Sequence, residues 1–90
     1  TTTTELVARQ IAVDPGSIAN GSCAATTATV TSVDSGAICW AGTATGTGFA
    51  AVSINGCNVT GADTVSINYC NVDTVSRDPA SHSVNVFSVR

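Results

Sequence analysis

Ninety residues with 10% charged and 4% aromatic side chains make one small domain. A chain of this size buries only about 60–65% of the surface its unfolded state exposes, so a cross-link or a partner has something to add. The net charge of −3 leaves three scattered arginines, Arg9, Arg77 and Arg90, and no lysine. That excludes the basic stripe on which nucleic-acid binding depends. No stretch approaches the ~20 apolar residues of a membrane-spanning helix, and "TTTTELVARQIAV" lacks the charged start and apolar run of a signal peptide.

Threonine is abundant, with 14 residues, and long helix-forming side chains are scarce. β-Branched Val, Ile and Thr dominate, which is the composition of an all-β protein. Residues 1–13 read as an N-terminal arm or first strand, and 14–90 as the folded domain. Thr1 begins a Thr run with no pairing pattern, suited to docking. Leu6, Val7, Ile11 and Val13 complete this candidate docking arm as a short apolar run, suited to adding a strand to a neighbour, until "DPGS" stops it. Asn20-Gly21 signals a turn. "TTATVTSV", residues 26–33, alternates as a strand, and "AICWA", 37–41, reads as a short buried one.

"GTATGTG", residues 42–48, reads as a loop, with Trp40, Gly42, Gly46 and Gly48 as a candidate contact surface. Trp40 and Phe49 suit a carbohydrate or partner patch, although core packing is the commoner fate of aromatics. Residues 49–59 form a strand bulged near Asn55-Gly56. After a turn at 60–63, "TVSINYCN" alternates over 64–71, with Val65, Ile67 and Tyr69 on the core face. "VDTVSRDPAS" is a loop, and "SVNVFSV", 83–89, closes the domain. Six or seven short strands predict a small β-sandwich or jelly-roll-like barrel with an extended N-terminal arm.

No catalytic set emerges. His82 lies near Asp78, Ser81 and Ser83, but adjacent strand residues point to opposite faces. A solvated histidine at a strand end is the expectation. The Gly-rich loop lacks the Lys and following helix of a phosphate site, and no cofactor is indicated. The sequons Asn20-Gly21-Ser22 and Asn58-Val59-Thr60 carry little weight in a chain this rich in Asn and Thr.

Cys23, Cys39, Cys57 and Cys70 have no zinc-knuckle spacing, which makes disulfides the better reading. If residues 52–59 and 64–71 form a regular hairpin, Cys57 falls opposite Ser66. Cys70 then sits four residues farther along, roughly 13 Å at strand rise. That exceeds the ~7 Å reach of a bridge, so Cys57 does not pair with Cys70 and two connectivities remain.

"SIANGSC" (17–23), "TVTSV" (29–33), "GADTVSINYCN" (61–71) and "DPASHSVNVFSVR" (78–90) together resemble the small β-sandwich domains of tailed-bacteriophage virion proteins. The likeness rests on order and spacing over most of residues 14–90. "TSVDSGAICW" lacks the Gly-Asp turn expected there, and Cys39 and Cys57 are extra. The resemblance places cysteines at positions matching Cys23 and Cys70, which agrees with the preferred set, Cys23–Cys70 with Cys39–Cys57. It implies a non-enzymatic protein on the outer surface of the virion. The first role it implies is a capsid decoration (cement) protein, usually a homotrimer bound to the major capsid protein or other virion proteins. The alternative is the head of a tail or surface fibre that binds a host surface glycan or receptor. The sequence has no coiled-coil, collagen-like or β-helical stalk, which favours decoration.

Overall fold

A computed structural model describes residues 6–45 and 52–90. Six strands follow one another: β1 (Leu6–Val13), β2 (Cys23–Thr29), β3 (Ile38–Thr45), β4 (Val52–Gly61), β5 (Thr64–Asn71) and β6 (His82–Val89). They form two three-stranded antiparallel sheets, ordered β1-β6-β3 and β2-β5-β4. The all-β expectation holds, and the architecture is that of a small β-sandwich.

The core lies between the sheets and follows from period-two alternation. Val65, Ile67 and Tyr69 of β5 are fully buried, as are Val84 and Val86 of β6. Each such side chain contributes about 1.5–3 kcal/mol of apolar burial. From the edge strands, Val7, Val13 and Val52 join them, with Ala24, Ala28, Ala41, Ile54 and Val59 packed alongside. Residues 6–13 are thus a first strand rather than a free arm. Val7 and Val13 are committed to this chain's own core, while Leu6 stays exposed. Thr1 lies outside the described residues.

Three elements differ from their sequence expectation. The strand expected over 26–33 begins at Cys23 and ends at Thr29, because Val30 turns away to dock on the β4–β5 hairpin. The Val30 amide donates to the Asp63 carbonyl at 2.8 Å, and the Asp63 amide donates to the Val33 carbonyl at 2.8 Å. The Asp63 carboxylate accepts the Ser32 amide at 2.7 Å. Both Ser32 (φ 78°) and Asp63 (φ 58°) adopt left-handed backbone, which Asp tolerates better than most side chains. Val30 and Val33 then plug this end of the sandwich at 1% and 2% exposure.

The second difference is in "GTATGTG". Gly42–Thr45 extend β3 and pair with β6 through a register shift between Thr43 and Thr45, so they are strand and not loop. Gly46, Gly48 and Phe49 lie outside the described residues. Third, "AICWA" is not buried, because Ile38 and Trp40 point outward.

The opposite end of the sandwich is tied by Ile18 and Arg77, which exchange backbone hydrogen bonds of 2.7 and 3.0 Å. The 72–81 connection is held from within. Arg77 donates to the Asp73 carboxylate through Nε at 2.8 Å and through a second guanidinium nitrogen. That contact holds the Asp73 carboxyl below its ordinary range, with the Thr74 amide adding to the effect.

Candidate functional site

Two disulfides are present, and they do different mechanical jobs. Cys39–Cys57 joins β3 to β4 and therefore one sheet to the other, with Cα atoms 5.6 Å apart. Cys23–Cys70 joins directly opposed residues of β2 and β5 within one sheet, with Cα atoms 4.0 Å apart. No cysteine is free. The inter-sheet bridge depends on hairpin irregularity. Shifts between Ile54 and Gly56 and between Val59 and Gly61 place Cys57 opposite Ile67, not Ser66. A one-residue change of register turns a side chain to the other face. Cys57 therefore shares the core face with Ile67 and reaches Cys39 across the interior, whereas Cys70 lies on the outer face.

His82 departs from the solvated histidine expected at a strand end. It is buried at 4% exposure on the core face of β6. Its Nδ1 donates to the Ala80 carbonyl at 2.8 Å. A carbonyl only accepts, so the proton there sits on Nδ1, while Nε2 is hydrogen-bonded to the Tyr69 hydroxyl, also at 2.8 Å. The two rings meet edge to face, with centroids 5.6 Å apart. This pair spans the sandwich, joining β5 of one sheet to β6 of the other. It also satisfies two polar groups that would be expensive to bury alone.

Burial pushes the Tyr69 hydroxyl up to about 12 from its ordinary 10. An unfolded tyrosine releases its proton near 10, so between these values the folded chain holds more protons than the unfolded one. Stability that is fully present below pH 10 is then lost as pH rises through 12. Tyr69 is the only tyrosine, so tyrosinate absorbance reads it without ambiguity. The expected result is ionisation near pH 12 coupled to unfolding, with the alkaline fall in stability flattened in Tyr69→Phe. Ionisation near 10 without unfolding would refute the coupling.

The described residues contain no pocket and no cluster of three or more His, Cys, Asp or Glu placed to hold a metal ion. What they do present is an outward apolar face on the β1-β6-β3 sheet. Its first row is Leu6, Val89 and Ile38, and its second is Ala8, Phe87 and Trp40, each row in register across the three strands. Leu6, Ile38, Trp40 and Phe87 are 67%, 60%, 56% and 47% exposed. The third row, Gln10, Asn85 and Gly42, is polar and uncharged, and the Gln10 amide donates to Asn85 Oδ1 at 3.4 Å. Of the residues singled out by sequence, Trp40 and Gly42 of the candidate contact surface and Leu6 of the candidate docking arm belong to this face among those described. Ile38 and Phe87 join them without having stood out in the sequence. The available signal was alternation in "SVNVFSV", where Phe87 falls out of phase with Val84 and Val86.

The outer face of the second sheet is different in kind. Thr27, Ser66 and Asn58 form one register row across β2-β5-β4, flanked by Ala25 and Asn68 and by Thr29 and Thr64. It is small, polar and without charge. The chain is therefore a disulfide-stapled all-β sandwich with one aromatic and one hydroxyl-rich outer face. In comparisons with known proteins, no family model, no curated protein and no solved structure matches it.

Proposed function

We propose that this chain is a virion structural protein, most simply a capsid decoration protein that oligomerises and binds the shell. The observation that carries the reading is the character of its sheet edges. β1, β2, β3 and β4 are the edge strands, and Arg9 is the one charged residue in all four. None of them contains proline. Proteins that live as monomers guard such edges with lysine, proline or inward charge, because unpaired backbone invites strand addition.

β3 and β4 lie against each other and are bridged by Cys39–Cys57, whereas β1 and β2 carry no bridge to one another. Arg9 stands at a core-facing position of β1, opposite Val86, so the uncharged β2 edge is the surface offered to a neighbour, whether a second copy or a shell protein. Two disulfides suit a particle that must persist outside a reducing cell. The bacteriophage resemblance of residues 14–90 points the same way, implying a decoration protein or, as the alternative, a fibre head.

Quantitative mass analysis of purified particles tests this. The chain is expected at a copy number stoichiometric with the shell subunit, and as a trimer when released. A handful of copies per particle would overturn decoration in favour of a fibre head. Absence from particles would overturn the virion reading altogether.

A further inference from the structure

We infer that the outer face of the β1-β6-β3 sheet is a binding platform for a neutral saccharide, centred on Trp40 and Phe87. These two aromatics are directly opposed across β3 and β6 and are both about half exposed. In an antiparallel pair, opposed Cβ atoms stand about 4.5–5.5 Å apart, so the two rings stand side by side on one face. Such a surface matches the C–H face of a pyranose ring, which is apolar, while the ring's edge carries hydroxyls.

Hydroxyls need donors and acceptors at the rim of the platform, and the next row supplies them. Gln10 and Asn85 present side-chain amides, each offering both donors and an acceptor, on the same face as Phe87. Beside Asn85, Gly42 leaves the sheet bare: a Cβ built there would meet nothing within 4 Å among the described residues. Among the described residues, nothing stands between a ring lying over Trp40 and the Asn85 amide.

Size and charge select this occupant. Two rows on three strands cover roughly 200 Å², given ~4.8 Å between strands and ~6.8 Å between same-face residues. As a footprint it is small beside a standard protein–protein interface, which buries ~800 Å² of accessible surface per partner, so a second copy would have to reach well beyond these two rows. It is ample for a short oligosaccharide. The three rows contain no charged residue, so nothing in them favours an acidic sugar, a phosphate or a charged peptide. The platform does not depend on the decoration role, since the isolated protein would carry it.

The test uses the disulfide-bonded protein on a printed array of neutral and acidic bacterial-surface and plant oligosaccharides, cellohexaose among them. The strongest neutral ligand is then titrated in solution. Trp40 is the only tryptophan, so its emission reports occupancy directly. Binding of a neutral saccharide with a Trp40 emission shift is expected. Losing the aromatic surface in Trp40→Ala should weaken binding about tenfold or more, read by array and calorimetry. Gly42→Leu, which fills the bare place, should do the same with an unchanged Tm.

Silence across the array at millimolar saccharide would overturn the inference, as would preference for acidic sugars. So would binding that survives both substitutions. Concentration-dependent self-association abolished by Trp40→Ala, with no saccharide bound, would reassign the face to a second copy.

Discussion

Removing either disulfide is expected to lower the melting temperature by about 12–30 °C, and removing both should leave the domain unfolded at ambient temperature. Cys23–Cys70 spans 47 positions and Cys39–Cys57 spans 18. In the chain-entropy picture these closures contribute about 4 and about 3 kcal/mol. The second loop is nested inside the first, so the joint effect falls short of the sum. Even so, it is comparable to the total stability of ~5–15 kcal/mol that small domains possess. Each kcal/mol corresponds to about 4–8 °C at this chain length.

The two bridges should also differ in how they are lost. Cys23 is exposed and Cys70 half-buried on an outer face, while Cys39 and Cys57 sit half-buried against the core. Stepwise reduction with alkylation and mass analysis should therefore open Cys23–Cys70 first. β2 has little else to hold it by its side chains. Its inward residues are Ala24, Thr26 and Ala28, none fully buried. Thermal melts of the Cys23→Ala/Cys70→Ala and Cys39→Ala/Cys57→Ala pairs measure each contribution. An unchanged melting temperature in either pair would refute the staple assigned to it.

How much of this was legible in the sequence varies from strand to strand. β5 was readable in full, because "TVSINYCN" sits at the centre of its sheet with one face on the core and strict alternation. β1 also showed where it ends, since "DPGS" stops it sharply after Val13. β3 was misread because its apolar residues occupy both faces. Cys39 and Ala41 point inward while Ile38 and Trp40 point out, and a strand apolar on both faces is indistinguishable from a buried one. Val30 and Val33 carried the alternation of a strand past its end, because a buried loop plug must be apolar too.

The Cys57 register illustrates a deeper limit. Regular hairpin counting faces Cys57 outward, toward Ser66. The bulges that turn it inward are hinted at by Asn55-Gly56, but their effect on register is decided by packing against Ile67. His82 was opaque for a related reason. Its burial depends on Tyr69, thirteen residues away in sequence and on the facing sheet. The aromatic platform shares this property, for it exists only once β1, β6 and β3 are placed side by side.

Asn71→Ala is expected to destabilise the domain by about 3 kcal/mol, or about 12–24 °C in melting temperature. Asn71 is 1% exposed at the end of β5 and makes three side-chain hydrogen bonds. Its amide donates to the Ile18 and Val75 carbonyls, each at 3.0 Å. Its Oδ1 accepts the Asp73 amide at 2.9 Å. One side chain thus ties the lead-in segment before β2 to the 72–81 connection, alongside the Ile18–Arg77 backbone pair. Truncation leaves two carbonyls and one amide without this partner, at about 1–3 kcal/mol for each that stays buried. Val75 and Asp73 lie close enough to solvent to recover part of that loss through water, which is why the expected total stays at the low end of the roughly 3–9 kcal/mol that three such groups would cost. Asn71→Asp separates hydrogen bonding from packing, because it keeps the shape and the Asp73 contact. At neutral pH its carboxylate would face two carbonyls with nothing to donate, so it should be as unstable as the alanine variant. Protonation restores one donor, and acid should therefore narrow its deficit relative to the native chain. Chemical denaturation of both variants across pH measures this. A loss below about 1 kcal/mol in Asn71→Ala, the value of one ordinary hydrogen bond, would show that the two loops are held in place without it.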